Sequence, residues 1–596
     1  MKIIKLAILF VCLGAQPSYA VGSLLRAQKF IEFSNNNFID FSRKTIKARF
    51  LINTNKRAFS TSDDTNIKKT LNSKKFTFSN LEGAPTSLRQ AYQIFCEQQN
   101  DIGLDCSKRL IQAKPRTDIK VGIVGGGMAG LYCGLLLKSR GVPFHIFEAN
   151  NRPGGRIFTH RFTEEEDQYF EAGAMRIPQI DDQLPFFQLV SYVNKYSNQQ
   201  DQIELIPYVL NDSNNYVFVN GARNVDGSPL RFEQVKDHPE DLKFPIPDKH
   251  KKKTAPILLT EAIGDFIDLV KKVGPVEALE ALKKFDDYSM RSYLIREKGW
   301  DSSMVNYVET MTAQTHQFDH SFTEVVIEYV DFEGANWKTI KNGMSRLPHA
   351  CRKLIQDENI FMGANVHKIE DTEDNKVAIH YNHLGVQKRD IFDKVILALP
   401  PGVIRMLQKP LWSIEKEEAI RCMHFEPLYK IGLRFKSRFW EKGAYPSSGG
   451  QSITDLPSRW IVYPSYGRGT DKPGVLLCYS WMGDALKWLP KSPQEQEELA
   501  LRDLSQLYGE ECIKNEFIPP HSKSVSWATE WALGDAKFLP GQFKSYFNIA
   551  RNSENNVYFA GEHLSVYHTW ILGAIDSALT TSKQVLEDEK LTFLKI

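Results

Sequence analysis

The sequence predicts an α/β (α+β) protein, and three observations lead to this fold class. Residues 119–124 form a β-branched run that leads into a glycine-rich turn and a helical stretch. A second strand and glycine turn lie near the end of the chain, at 557–563, ahead of another helical stretch. Between them, residues 259–273 and 276–294 have apolar side chains at three- and four-residue spacing, which predicts two amphipathic helices. The chain therefore alternates strands with helices and carries a helical insertion within 255–335.

Length and composition are those of a folded protein with several domains. The chain has 596 residues, of which 42% are hydrophobic and 25% are charged, so it can bury a large core and wholesale disorder is excluded. Lys and Arg total 75 against 72 Asp and Glu, and a net charge of +3 does not indicate nucleic-acid binding. Residues 1–75 contain fourteen basic and four acidic side chains, which leaves −7 for residues 76–596. We expect the mature protein to be acidic.

The first 20 residues, MKIIKLAILFVCLGAQPSYA, predict a secretory signal that is cleaved near Ala20. The apolar run within them is too short to span a bilayer, which takes about 20 residues, and no other stretch reaches that length. Residues 21–75 are basic and polar, which predicts a linker or a propeptide. We therefore predict a secreted or otherwise exported protein without a membrane anchor. The basic, hydroxyl-rich stretch 57–62 leaves mitochondrial import as an alternative.

Cysteine usage gives no sign of a metal site. The chain has eight cysteines and no CxxC pair, and their spacing matches no metal-ligand pattern. Seven cysteines follow residue 20, so at least one is a free thiol. Export permits disulfides, and Cys96 with Cys106 is the nearest pair, but we expect most of the others to be buried single thiols.

A dinucleotide-binding signature occupies the first strand–helix unit. The turn Gly125-Gly126-Gly127-Met128-Ala129-Gly130 follows the strand, and the next apolar run ends in Glu148. Gly125 permits the tight turn, Gly127 lets the backbone approach a pyrophosphate, and Gly130 lets the helix pack against the strand. Glu148 lies 18 residues after Gly130, where a carboxylate can accept hydrogen bonds from an adenosine ribose. The unit therefore predicts a bound dinucleotide.

The residues after Glu148 resemble those of glutathione-reductase-like flavoproteins, and of flavin-dependent amine oxidases in particular. Asn151-Arg152-Pro153-Gly154-Gly155-Arg156 is similar to the family's second glycine pair, which borders the FAD pyrophosphate together with the arginine. The resemblance covers most of 85–585. It implies FAD contacts from Gly125, Gly127, Met128, Ala129, Gly130, Glu148, Ala149, Gly155, Arg156, Gly173, Ala174, Met175, Arg176, Val366, Gly561, Glu562, Trp570 and Ile571.

The same resemblance implies an interleaved domain order. A Rossmann-type FAD-binding domain of the glutathione-reductase kind alternates along the chain with a mixed-sheet substrate domain and a helical subdomain. The FAD-binding parts are 116–178, 337–420 and 548–596. The substrate domain takes an N-terminal helical part, 76–115, and two further parts, 179–254 and 421–547, while the helical subdomain is 255–336.

The C-terminal motif resembles the family's second flavin-binding segment. Val557-Tyr558-Phe559-Ala560-Gly561-Glu562-His563 is a strand and glycine turn, and the resemblance places Glu562 at the ribityl or pyrophosphate region of FAD. The helix that follows Trp570 can direct its positive dipole end at the isoalloxazine O2. Mitochondrial monoamine oxidases carry a flavin-linking cysteine where this chain has Leu564-Ser565-Val566-Tyr567. The resemblance therefore implies non-covalent FAD.

Two segments are most similar to L-amino-acid oxidases of the snake-venom type. In 171–178 (EAGAMRIP), the resemblance implies that Arg176 binds the substrate carboxylate. A planar guanidinium suits that role because it can pair with a carboxylate through two hydrogen bonds. A purely structural ion pair of Arg176 stays open as the alternative. In 429–464, the resemblance has Tyr463 donate its hydroxyl to the same carboxylate. It has Lys430 hold a water near flavin N5, used when reduced flavin meets oxygen.

Two more positions complete the substrate site that the resemblance implies. Trp570 closes an aromatic cage beside the flavin. Thr569 stands where the venom enzymes have glycine, and its backbone carbonyl would receive the substrate amine, with its side chain narrowing the pocket. The segment 343–348 (GMSRLP) resembles the central FAD-contact region, with Val366 offering backbone hydrogen bonds to adenine.

These residues predict the oxidation of an L-amino acid by O2, with hydride transfer from the α-carbon to flavin N5. The products are a 2-oxo acid, ammonia and hydrogen peroxide. The predicted partners are these small molecules, without nucleic acid, and a homodimer is left open. Three alternatives remain: a monooxygenase of the tryptophan 2-monooxygenase type, an amine or polyamine oxidase, and a binding protein with a vestigial flavin. The family-level expectation for the substrate side chain is large and apolar or aromatic.

Overall fold

The structure is a computed structural model that describes residues 119–273, 282, 284–312, 315–332, 336–529 and 533–587. All of these residues belong to one unit of the chain, which begins at Pro85. The predicted signal segment 1–20, the basic segment 21–75, the helical part 76–115 and the Cys96–Cys106 pair lie outside the described residues. The described cysteines, 133, 351, 422, 478 and 512, are free thiols.

A five-stranded parallel sheet forms the centre of the nucleotide-binding part. Its central strand is buried along its whole length, as expected for a β-branched strand covered on both faces. The strands come from three separate stretches of chain. In spatial order they are Ile360–Met362, Phe144–Glu148, Val121–Val124, Lys394–Leu397 and Val557–Phe559.

Three helices pack together beside this sheet: Met128–Ser139, Arg346–Ile355 and Ile571–Glu587. Gly130 lies where the first of them meets the first strand. A Cβ atom at this position would lie 1.9 Å from the carbonyl oxygen of Gly125, so only glycine fits. Gly130 therefore has the packing role that the glycine spacing predicts.

A seven-stranded sheet forms the second layer and is antiparallel except for one parallel pair. Its order is Phe517–Ser526, Leu428–Phe435, Gly474–Trp481, Trp460–Val462, Gln451–Thr454, Tyr216–Phe218 and Leu230–Arg231. One face packs on the helix Pro493–Tyr508 through a cluster that includes Tyr429 and Tyr463. The other face carries Trp460, Tyr479 and Trp481. Because side chains alternate along a strand, neighbouring residues of this sheet serve different faces.

Smaller sheets connect the two layers. They are formed by Thr159–Arg161 with Tyr169–Glu171, by Ile177–Pro178, Trp337–Ile340 and Leu205–Tyr208, by Asn365–Asp371, Val377–His383 and Val386–Phe392, and by Phe425–Glu426 with Asp535–Ala536. The remaining α-helices outside the helical insertion are Leu184–Tyr196, Phe232–Asp237, Pro401–Met406, Ile414–Cys422, Met482–Leu486, Glu510–Glu516, Gln542–Ser545 and Phe547–Arg551. The fold is α/β with a mixed second sheet, as the sequence predicts.

The helical insertion differs from its prediction in one place. Its helices are Ala255–Val273, Met290–Arg296, Ser302–Thr312 and Phe322–Asp331, so the first predicted helix is present. The second, predicted over 276–294, is interrupted: residue 282 and residues 290–294 are helical, but residues 284–289 form turns, a bend and a bridge. Ser289 begins a new helix there, since its hydroxyl accepts a hydrogen bond from the backbone N–H of Ser292. Within the described part of the chain, no helix is long and apolar enough to cross a membrane.

Candidate active site

One cavity of about 630 Å³ runs from the parallel sheet to the seven-stranded sheet. Its first wall is the carboxyl edge of the parallel sheet, where Gly125, Glu148, Ala398 and Gly561 follow four of the strands. Ligands of open parallel sheets bind at this edge. The second wall comes from the seven-stranded sheet, and the third comes from the helical insertion.

The glycine turn forms an open cradle at the first wall. A Cβ atom at Gly127 would have no atom within 4 Å, so the backbone there faces free space beside the start of the helix Met128–Ser139. Glu148 closes the other side and accepts hydrogen bonds from the backbone N–H groups of Gly126 (2.7 Å) and Asn150 (2.8 Å). Burial raises the pKa of Glu148 above its ordinary value. The free backbone and the helix N-terminus suit a pyrophosphate, and the carboxylate suits a ribose.

An ion pair joins the two predicted flavin motifs. Arg156 Nη1 lies 2.5 Å from Glu562 Oε1, and the same oxygen accepts the backbone N–H of Ala536 at 2.8 Å. The other oxygen of Glu562 accepts the N–H of Thr569 at 3.1 Å. Burial opposes ionisation of Glu562, but Arg156 and His568 outweigh it and hold its pKa below the ordinary value. Glu562 thus orders the cavity wall, and its direct contact with a cofactor stays a prediction.

Most residues predicted to contact the cofactor do line this cavity. They are Gly125, Gly127, Met128, Ala129, Glu148, Ala149, Gly155, Arg156, Gly173, Ala174, Met175, Arg176, Val366, Gly561, Glu562, Trp570 and Ile571. Gly130 is the exception, because it is buried between the helix and the strand. No cysteine is among the described residues that line the cavity.

Arg176 lies in a cage of aromatic rings at the cavity wall. Its guanidinium carbon is 5.6 Å from the ring centre of Phe332, 5.7 Å from Trp337 and 5.8 Å from Trp460. Its one side-chain hydrogen bond donates to Gln451 Oε1 at 3.3 Å. Among the described residues, no carboxylate lies within ion-pairing distance of it. The structural ion pair left open by the sequence is therefore not formed in this part of the chain, and no described carboxylate pairs directly with the guanidinium.

Trp570 extends this cage. Its ring centre is 6.0 Å from Phe332 and 5.9 Å from Trp337. Thr569 precedes it with a φ of +69°, a left-handed conformation that favours glycine. The hydrogen bond from its N–H to Glu562 stabilises this turn and so orients the peptide that follows Thr569.

Lys430 is buried on the second wall, on the strand Leu428–Phe435. Its ammonium donates to the carbonyl oxygens of Gly173 (2.6 Å) and Glu171 (3.2 Å) and lies 4.7 Å from the ring centre of Tyr479. Burial lowers the pKa of Lys430 to about 7, and burial raises the pKa of Glu171 to about 7. Lys430 thus provides a base that is partly neutral at neutral pH, next to the loop that carries Arg176.

Tyr463 is not where the sequence places it. Its hydroxyl hydrogen-bonds to Ser452 (2.8 Å) and Tyr508 (2.7 Å), inside the cluster under the helix Pro493–Tyr508. It does not line the cavity, and Trp460 does. The two residues are three positions apart, so strand alternation puts them on opposite faces of the sheet. The prediction that Tyr463 binds the substrate carboxylate is therefore wrong.

Several cavity residues escaped the sequence analysis. Phe332 and Trp460 line the cavity and form the cage around Arg176 together with Trp337, which packs behind them, and the three come from separate segments. Two carboxylates, Glu328 and Asp535, also line the cavity. Asp535 offered a signal that could have been used, because it is an acid within a largely apolar stretch, WALGDAKFLPG.

The fold and the site define an oxidoreductase that binds a dinucleotide beside a caged substrate cavity. Residues 128–586 match the model of the flavin containing amine oxidoreductase family, and the chain belongs to this family. It is an FAD-dependent oxidase. The open glycine cradle, Glu148 and the Arg156–Glu562 pair fit FAD.

Relatives agree with this assignment, and a solved structure shares the fold. A Dictyostelium discoideum protein named as a bifunctional amine oxidase is 32% identical over 83% of this chain, which spans 50% of that longer protein. An L-amino-acid oxidase of Siganus canaliculatus is 30% identical, with 79% of this chain and 85% of the relative covered. A putrescine oxidase crystallised with putrescine has the same fold, with a TM-score of 0.61 and 17% identity over 79% of this chain and 99% of that one.

Proposed function

We propose that this protein is an L-amino-acid oxidase that converts an L-amino acid and O2 into a 2-oxo acid, ammonia and hydrogen peroxide. The observation that carries the proposal is Arg176. A guanidinium that lies in an aromatic cage, lines the cavity and has no carboxylate partner among the described residues needs an anionic group from the substrate. The carboxylate of an amino acid supplies that group. The L-amino-acid oxidase relative supports the same substrate class.

The residues of this chain bind and orient the substrate. Arg176 fixes the carboxylate, and the aromatic rings of Phe332, Trp460 and Trp570 exclude water around the α-carbon. The peptide after Thr569 offers its carbonyl to the substrate amine, which reacts as the neutral amine. FAD held by the glycine cradle, Glu148 and the Arg156–Glu562 pair would supply the hydride acceptor for the α-carbon and the electrons for O2. The imino acid that leaves the cavity is hydrolysed to the 2-oxo acid and ammonia.

Lys430 has a separate role in the proposal. Its ammonium is held by two backbone carbonyls, and its lowered pKa lets it exchange a proton near neutral pH. We assign it to the oxygen half of the reaction, where it holds the water and the proton that hydrogen peroxide formation needs.

The test is an anaerobic flavin-reduction screen of the purified holoenzyme with the twenty L-amino acids and their D-isomers. The proposal predicts bleaching by L-isomers, followed in air by equal amounts of 2-oxo acid and hydrogen peroxide. An amide product would identify a monooxygenase instead. Bleaching by D-isomers alone would contradict the stereochemistry, and FAD that no amino acid bleaches would favour a vestigial flavin.

We also propose that the protein is exported, on the strength of the signal-like residues 1–20. The N-terminal sequence of the active protein tests this, together with its location in culture. A mature N-terminus after residue 75 would identify 21–75 as a propeptide. Retention of residues 1–20 in the active protein would contradict export by a cleaved signal.

A further inference from the structure

The substrate cavity contains more acid than its protein partners neutralise. Asp535 and Glu328, called here the carboxylate pair, both line the cavity and are only 7% and 6% exposed. Asp535 lies on the short strand Asp535–Ala536, where it pairs with Glu426 of the strand Phe425–Glu426. Glu328 belongs to the helix Phe322–Asp331 of the helical insertion. Two carboxylates from different elements are thus directed into the cavity that also contains Arg176.

The position of Asp535 is fixed by its backbone. Its strand pairs with Phe425–Glu426, and the next residue, Ala536, donates its N–H to Glu562 at 2.8 Å. A Cβ atom on the preceding Gly534 would lie 1.8 Å from the carbonyl oxygen of Glu426, so the two segments are in tight contact. Asp535 is therefore held against the cavity by a rigid frame rather than by partners of its side chain.

The contacts of the carboxylate pair leave one oxygen of each acid without a hydrogen-bond partner among the described residues. Asp535 Oδ1 accepts only the indole N–H of Trp481, at 3.4 Å. Glu328 Oε2 lies 2.6 Å from the amide nitrogen of Gln317 and 2.8 Å from Lys537 Nζ. The second oxygens, Asp535 Oδ2 and Glu328 Oε1, are free to accept from a ligand.

Charge counting shows which acid lacks a partner. Behind the cavity wall, Lys537 lies 2.8 Å from Glu328 and 3.8 Å from Glu324, and His568 lies 2.8 Å from Glu324. Of the basic side chains that act on Asp535, Lys537 is already paired with Glu328 and Arg156 with Glu562, so neither forms an ion pair with Asp535. Consistent with this shortage, burial raises the pKa of Asp535 to about 8, although Lys537 lowers it in part. A ligand cation would supply the missing charge.

The carboxylate pair and Arg176 belong to one substrate site. Tyr479 also lines the cavity; burial raises the pKa of its hydroxyl, Asp535 and Glu328 raise it further and Arg176 opposes them, so the three charges act at one hydroxyl. The same cavity offers apolar surface from Val325, Phe318 and Trp481. This is the arrangement needed for a molecule with a carboxylate at one end, an aliphatic stem, and a cation at the other.

Resting on the proposed function, we propose that the substrate is an L-amino acid with a cationic side chain, such as lysine, ornithine or arginine, and that Asp535 and Glu328 bind its side-chain cation. This departs from the apolar or aromatic preference expected from the sequence. A diamine would also satisfy the carboxylate pair but would leave Arg176 without a partner.

Three matched compounds test this in the wild-type holoenzyme: L-lysine, L-norleucine, which lacks the side-chain ammonium, and cadaverine, which lacks the carboxylate. We expect kcat/KM for lysine to exceed that for norleucine by about 100-fold, because norleucine leaves a buried carboxylate unpaired. Cadaverine should be similarly poor. If norleucine or phenylalanine equals lysine, the inference is overturned while the proposed function stands. If cadaverine alone reduces the flavin, the proposed function itself fails.

The variant Asp535→Asn keeps the shape of the side chain and removes its charge. The ratio of its kcat/KM for lysine to its kcat/KM for norleucine should fall to within a few-fold of one, mainly because kcat/KM for lysine falls. Glu328→Gln should lose part of this selectivity. Glu511→Gln, an exposed acid away from the cavity, is the matched control and should keep the wild-type ratio. An unchanged ratio in both cavity variants would overturn the inference.

A binding measurement gives a readout independent of turnover. The compound 6-aminohexanoate has both charged ends and no α-amine, whereas hexanoate lacks the cation. Displacement measured by flavin absorbance should show wild-type enzyme binding 6-aminohexanoate about 100-fold more tightly than hexanoate, with the difference lost in Asp535→Asn. FAD content and thermal midpoint confirm that the variant is folded. Equal binding of the two acids by wild-type enzyme would overturn the inference.

Discussion

Arg176→Met tests the carboxylate site most sharply, because it removes the guanidinium and retains an apolar stem. Two charge-assisted hydrogen bonds to a buried carboxylate contribute about 1.5–3 kcal/mol each, or about 3–6 kcal/mol together. In kcat/KM this corresponds to a loss of about 10²- to 10⁴-fold for an L-amino acid. The same variant should oxidise the decarboxylated amine as well as wild-type enzyme does, because the amine makes no contact that depends on Arg176.

The conservative variant separates charge from geometry. Arg176→Lys retains a positive charge but loses the planar fork and the stacking on Phe332, Trp337 and Trp460. We expect a loss of about 10- to 100-fold in kcat/KM, between wild type and Arg176→Met.

Folding should be little affected in both variants, since no described carboxylate loses its ion-pair partner, and the free energy of unfolding should change by about 1 kcal/mol or less. Arg223→Met is the control, because Arg223 lies over the ring of Phe218 at 4.8 Å outside the cavity. Steady-state peroxide release and anaerobic flavin reduction measure the effects. If Arg176→Met oxidises the amino acid as fast as the control variant does, the assigned role of Arg176 is refuted.

Three further variants test other parts of the site. Tyr463→Phe should keep kcat/KM within about threefold and lower the free energy of unfolding by about 1–2 kcal/mol, because its hydroxyl bonds to Ser452 and Tyr508 away from the cavity; a large loss of activity without a loss of stability would contradict its placement. Glu562→Gln should release FAD and cost about 3 kcal/mol of stability, since it leaves Arg156 without its buried partner, and an unchanged ratio of FAD to protein would argue against a role of the Arg156–Glu562 pair in holding FAD. Lys430→Met should slow flavin reoxidation by O2 more than anaerobic reduction. Because the pKa of Lys430 falls from 10.5 unfolded to about 7 folded, the unfolded chain binds more protons between these values, and wild-type stability should rise with pH from about 7 to 10.5. The thermal midpoint of Lys430→Met should lack this rise, and parallel pH profiles would contradict the assignment.

Most of the nucleotide site could be predicted from local sequence motifs. The turn at Gly125–Gly130 and the acid Glu148 are fixed by backbone requirements within about 25 residues, and such requirements are legible in sequence. The fold class followed for the same reason, since each strand–turn–helix unit was recognisable on its own.

The substrate site could be predicted only in part. Arg176, Trp570 and Lys430 belong to recognisable motifs, and all three line the cavity. Tyr463 belongs to an equally recognisable motif. A shift of one residue along the strand, however, decides whether a side chain faces the cavity or the cluster on the other face of the sheet, and similarity to a family does not fix that shift.

The cage and the carboxylate pair could not be found by reading along the chain. Phe332, Trp337 and Trp460 meet only through tertiary packing of the insertion and two sheets. Asp535 and Glu328 line the same cavity although about 200 residues of sequence separate them. The second predicted helix of the insertion is interrupted at residues 284–289 for a related reason. Ser289 satisfies the backbone of a new helix start, and this local hydrogen bond outweighs the apolar periodicity that spans it.

The central claim is that the cavity recognises an amino acid by its carboxylate before oxidising it. The measurement that tests this most directly is anaerobic flavin reduction in the wild-type holoenzyme, with the best L-amino acid compared against its own decarboxylated amine. The two compounds differ only in the group assigned to Arg176. We predict that the amino acid reduces the flavin at least about 100-fold more efficiently than the amine. Equal reduction by the two compounds, or faster reduction by the amine, would contradict the claim.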